Sequence, residues 1–185
     1  MDRENLEKIM NSNKLTMSEK MEAIKDEMKI LLRKYSYLEL FKKLKESKSS
    51  KKSKDIYLNL YEKALEELLE EKKKELTLEE ADKLLDYLQA ETNKTIKFIK
   101  ETNESLLSED DVKEKSKEAT AADLNYKRLA VAAKEGTLSE TEKVLFENEA
   151  KKIQLRDAKS DLDLLSEYEA DISKHYSAEV KKNTK

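Results

Sequence analysis

The sequence predicts an all-α protein, and three observations carry that prediction. Across 185 residues there is no proline and a single glycine, Gly136, so the two residues that interrupt helices are almost absent. Charged residues make up 43% of the chain, which supplies the solvated faces that surface helices need. Apolar residues recur at spacings of three and four, with no stretch of strand-like alternation. The expected architecture is a set of antiparallel helical hairpins, or a bundle of about five to six helices with coiled-coil-like heptad seams.

Each element has its own justification. A short first helix over 2–11 carries Leu6, Ile9 and Met10 and is broken by Asn11-Ser12-Asn13. A long second helix follows, in which Met17, Met21, Ile24, Met28, Leu31, Tyr35 and Leu38 alternate spacings of four and three, a heptad seam that Phe41 and Leu44 extend. The run from Lys45 to Lys54 holds no apolar residue and reads as low complexity, with 46–54 expected as an exposed linker. The third helix, over 55–74, presents Tyr57, Tyr61, Ala64 and Leu68 on one stripe. The fourth, over 78–106, keeps its register through Leu78, Ala81, Leu85, Leu88, Thr92, Thr95, Ile99, Thr102 and Leu106. Ser108 with Asp111 caps a fifth helix, whose Ala119, Ala122, Tyr126, Leu129 and Ala133 form a small-residue face. Gly136 ends it in a left-handed conformation. The last helix runs from Leu138 towards Val180, with Ser160 and Asp163 as a candidate break.

An internal echo accompanies these elements. Thr16-Met17-Ser18-Glu19, Thr77-Leu78-Glu79-Glu80 and Thr137-Leu138-Ser139-Glu140 begin 61 and 60 residues apart, and each reads as a capping box. Apolar pairs follow at a fixed offset: Ala23-Ile24, Leu84-Leu85 and Val144-Leu145. Leu106-Leu107-Ser108-Glu109 against Leu164-Leu165-Ser166-Glu167 is a weaker echo. Within one helical domain over 1–185, these mark possible units at 14–74, 75–134 and 135–185.

Composition bounds the function. Leu, Ile, Val and Phe total 42 of 185 residues with a net charge of −3, which predicts a folded chain with a thin core. Cysteine is absent, so thiolate metal sites and disulfides are excluded. One glycine cannot build a phosphate-cradling loop, and one histidine, His175, leaves nucleophilic catalysis without a base. Asp171, His175 and Glu179 share a helical face, but an exposed histidine is the expectation. No cofactor or small-molecule substrate is expected, and the chain reads as non-enzymatic. With neither a signal-peptide core nor an apolar span, a cytoplasmic location and no membrane partner are expected.

Two groups of residues are candidates for function. All five methionines fall within the first 28 residues, and Met10, Met17, Met21, Ile24 and Met28 lie on or near one stripe suited to an adaptable interface. A second helix over 17–44 would span roughly 42 Å against roughly 30 Å for one over 55–74, which leaves the Met17 end uncovered unless the first helix folds over it. The second candidate is Lys42, Lys43, Lys45, Lys48, Lys51, Lys52 and Lys54, opposed only by Glu46, as a weak polyanion site. No aromatic residue interleaves this run, and the sequence pI near 5.6 disfavours nucleic acid. The expected role is a protein-protein interaction protein, acting as adaptor, assembly factor or inhibitor. Self-assembly as a scaffold and accessory nucleic-acid binding are the alternatives.

Overall fold

A computed structural model describes residues 3–49, 56–118 and 126–183. Lys51, Lys52 and Lys54, like Ala119 and Ala122, lie outside the described residues. Everything with regular structure among the described residues is helical. The order is α1 (Arg3–Met10), α2 (Met17–Leu32), α3 (Tyr37–Ser49), α4 (Ile56–Lys73), α5 (Leu78–Ser105), α6 (Glu109–Glu118), α7 (Tyr126–Glu135) and α8 (Glu140–Asn183).

Local chemistry explains most of the helix starts. The Thr16 hydroxyl accepts the Glu19 amide at 3.2 Å while the Glu19 carboxylate accepts the Thr16 amide at 3.3 Å, a complete capping box. Thr77 and Glu80 repeat it at 3.1 and 3.3 Å. Ser108 accepts the Asp111 amide at 3.1 Å, as its position predicts. The third box is displaced: Ser139 and Glu142 exchange the cap bonds at 3.1 and 3.2 Å. Thr137 instead closes the end of α7, its amide bonded to the Ala132 carbonyl at 3.0 Å beside a Gly136-to-Ala133 bond of 3.3 Å. With Gly136 at φ +71, this pair of bonds is a Schellman ending.

Three expected boundaries differ. The second helix is two helices: α2 ends at Leu32, and α3 begins after Ser36, whose hydroxyl accepts the Glu39 amide at 3.2 Å. A local N-cap thus outcompetes a heptad stripe that runs through it. Helix also continues to Ser49, so 46–49 is not linker, and Ser47 is buried with its hydroxyl donating to Glu62 at 2.9 Å. The last helix is unbroken through Ser160 and Asp163, because neither residue prevents helical dihedrals when its neighbours pack. Ser166 therefore sits inside a helix, and the echo of Ser108 there caps nothing.

The chain divides into two compact units, Met1–Glu91 with Asp163–Lys185, and Thr92–Leu162. In the first, Leu40, Phe41, Leu44, Leu65, Leu68, Leu69, Ala81, Leu88, Leu165 and Ile172 form one buried cluster. Phe41 and Tyr168 meet edge-to-face within it, their ring centres 5.2 Å apart. The second unit buries Leu129, Leu145, Leu155 and Ala158. It also buries Asn148, whose side-chain oxygen accepts the Leu107 amide at 2.9 Å just past the end of α5.

Candidate interaction surface

α4 packs against both α2 and α3. Lys25 reaches Glu67 at 2.8 Å and Lys29 reaches Glu71 at 2.7 Å. Both pairs join a residue to one 42 positions later on α4, so the two helices run parallel. The α3–α4 pair runs the other way: Ser47 near the end of α3 meets Glu62 in the first half of α4, whereas Tyr35 just before α3 meets Lys72 near the end of α4. Between α2 and α3 the chain turns back, and Lys72 of α4 secures that turn by donating to the Arg33 carbonyl at 2.8 Å and to the Tyr35 carbonyl.

The ion pairs along this parallel interface are electrostatically coupled. Hydrogen bonds from Lys25 to Glu67 and then to Glu22 hold its ammonium above the ordinary lysine range, against a smaller desolvation effect. The Lys29 hydrogen bond holds the Glu71 carboxyl below its ordinary range, again against burial. On the other flank of α4, burial opposes the charge of Lys73, yet its bonds to Glu70 and to Asp171, at 2.9 and 3.0 Å, outweigh it and raise its pKa.

The methionine-bearing residues separate into distinct environments. α1 packs on α2, and Lys20 donates to the Met10 carbonyl at 2.8 Å, so the first helix does fold over the second. Ile24 is buried at 2% exposure, and Met28 packs against the core cluster of the first unit; neither presents a docking surface. Met10 and Met21 are partly buried. Among Met10, Met17, Met21, Ile24 and Met28, Met17 alone is open, at 59% exposure. The parallel register places Met17 level with Asn59, within one helical turn of Ile56 and Tyr57, which are 45% and 37% exposed.

The described lysines of the basic run are engaged within the chain. Lys45 pairs with Glu91 at 3.6 Å, Lys48 pairs with Glu66, Lys42 lies over the Tyr87 ring and Lys43 over the Tyr35 ring. His175 is partly buried rather than exposed, and its Nε2 is buried without a hydrogen-bond partner. Asp171, its neighbour one turn earlier, is held by Lys73. No group of side chains arranged to hold a metal ion occurs among the described residues.

Sequence reasoning missed the break at Ser36 although its signal was present, since Ser36 and Glu39 have the spacing that marked Thr16 and Glu19. The acidic partners of the lysines had no such signal. They arrive from α4 and α5, and nothing in the run itself points to them. Compared with known protein families, curated proteins and solved structures, the chain matches none. No helix among the described residues is long and apolar enough to cross a membrane.

Proposed function

We propose that this chain is a non-enzymatic protein-protein interaction protein, an adaptor, assembly factor or inhibitor that docks a partner protein at the N-terminal end of the α2–α4 pair. One observation carries the reading: Met17, Ile56 and Tyr57 stay open at a common end of two parallel helices, while Ile24 and Leu32 further along α2, though not Ile30 and Leu31, and Leu60, Ala64, Leu65, Leu68 and Leu69 further along α4 are buried. Covering such side chains contributes on the order of 1.5–3 kcal/mol each. Methionine beside tyrosine suits an apolar partner face of irregular shape, because the thioether repacks and the phenol offers one polar contact. The polyanion reading is supported less well, because the described lysines that would serve it already have partners in the fold.

Photo-crosslinking tests the proposal. A photoreactive phenylalanine analogue replaces Met17 or Tyr57, with Lys83, an exposed position on α5, as control. A discrete adduct with another protein, formed from positions 17 and 57 and not from 83, is expected. An adduct of twice the chain mass moves the reading to self-assembly, and equal labelling at all three positions overturns it.

A further inference from the structure

Met17, Ile24 and Leu31 recur at the heptad interval, so they share one seam of α2 that extends over roughly 21 Å. Their exposures are 59%, 2% and 44%. The seam is therefore closed in the middle and open at both ends. α4 engages the neighbouring edge of α2 at Lys25 and Lys29, and α1 closes over the other side. With its Met10 carbonyl held by Lys20, α1 can pack on α2 only by running back over its middle, because the opposite direction would carry it past the start of that helix. Its eight residues span roughly 12 Å, which leaves Leu31 beyond its reach.

α1 is a loosely built cover. Leu6, Ile9 and Met10 are each only partly buried, and neither they nor Ile24 belong to the buried cluster around Phe41. The helix is also shorter than the roughly 12–15 residues that an isolated helix needs in water. It therefore owes its structure to docking, and peripheral elements of this kind open at a lower free energy than the fold as a whole. At the same time α1 displays what the seam accepts. Leu6, Ile9 and Met10 stand at i, i+3 and i+4, the anchor spacing of an amphipathic helix laid in a groove.

We infer that α1 is a displaceable cover, and that an amphipathic helix of a partner protein takes its place and runs along the seam from Met17 to Leu31. Reaching both ends requires about two heptads of helix. Such a helix buries Met17 and Leu31, which α1 leaves to water, and that added apolar burial lets it outcompete α1. The proposal rests on the docking reading at Met17 and gives the docking element its secondary structure and length.

Fluorescence anisotropy of a labelled three-heptad peptide, with leucine at positions a and d and glutamate and lysine elsewhere, tests it on the full chain. A peptide of the same composition with its leucines scattered is the control. Saturable binding of the heptad peptide and none of the control is expected. Leu6→Glu with Ile9→Glu strips α1 of its apolar face and should tighten binding by roughly tenfold, because the seam no longer has an internal competitor. Met17→Asp and Leu31→Asp should each weaken it by roughly tenfold. Val131→Asp, at an exposed apolar position in the other unit, should leave it unaltered. Absence of binding, equal binding of the control, or equal weakening by Val131→Asp overturns the inference. Weakening by Met17→Asp alone, with no response to Leu31→Asp or to the α1 variant, overturns it while the docking reading stands, whereas indifference to Met17→Asp refutes the docking reading itself. The chain has no cysteine, so a single introduced thiol reports the opening of α1 without altering that helix. Ile24→Cys should be alkylated at least roughly tenfold faster than Ala64→Cys, which lies in the main cluster. Equal rates would mean that Ile24 is uncovered only when the whole unit unfolds, and would overturn the inference.

Discussion

The Lys72 ammonium lies 2.8 Å from the carbonyl of Arg33, 39 residues earlier in the chain. Arg33 is the C-cap of α2, so a cation from α4 occupies the negative end of that helix and satisfies carbonyls that its own backbone leaves open. The break in the apolar seam is therefore held from both sides, by Lys72 over the end of α2 and by Ser36 at the start of α3.

Removing either support should destabilise the first unit without unfolding it. Lys72→Met and Ser36→Ala are each expected to cost about 1 kcal/mol, the usual worth of a hydrogen bond to a helix end. Urea unfolding followed by circular dichroism checks this. The idea fails if Ser36→Ala is stabilising, since that would mean the chain gains by running α2 into α3.

Ile24 and Met17 lie on one stripe of α2 but should respond oppositely to truncation. Ile24→Ala removes a buried side chain and should cost about 2–5 kcal/mol. Met17→Ala, at an exposed position, should stay within about 0.5 kcal/mol. Comparable losses from both would show that Met17 is intramolecular core.

Acid stability should depend on Glu71. Its folded pKa is depressed, so its contribution is fully present above the unfolded value near 4.5 and is lost as pH falls through the lower folded value. Glu71→Gln should therefore reduce stability at neutral pH, and the gap to the parent should close on acidification past that window. The carboxylate is 48% exposed, so screening keeps the effect small, and high salt should shrink it further. A gap that does not change with pH would exclude ionisation as its source.

Gly136 should resist substitution for a reason unrelated to space. A Cβ there would meet nothing within 4 Å, but the backbone φ is +71. Gly136→Ala should cost about 1–2 kcal/mol for the left-handed conformation, and Gly136→Asn less. Thermal melting of the two variants separates them; if alanine is neutral, the Schellman ending is not formed in solution.

Helical character, the caps at Thr16, Thr77 and Ser108 and the ending at Gly136 were legible in the sequence because each depends on bonds within five residues. The break at Ser36 belongs to the same local class, and only the longer heptad stripe concealed it. Partner choice was not legible. Ser47 meets Glu62 15 residues away, Lys29 meets Glu71 at a separation of 42, and Lys73 meets Asp171 at 98. Such pairs form only once helices have docked, and with 41 acidic residues in the chain composition cannot select among them. For the same reason the methionine stripe looked uniform in sequence and is not. Packing buries Ile24, sets Met28 against the core and leaves Met17 open, because a heptad repeat states which residues share a face while tertiary contacts decide how far along that face the cover extends.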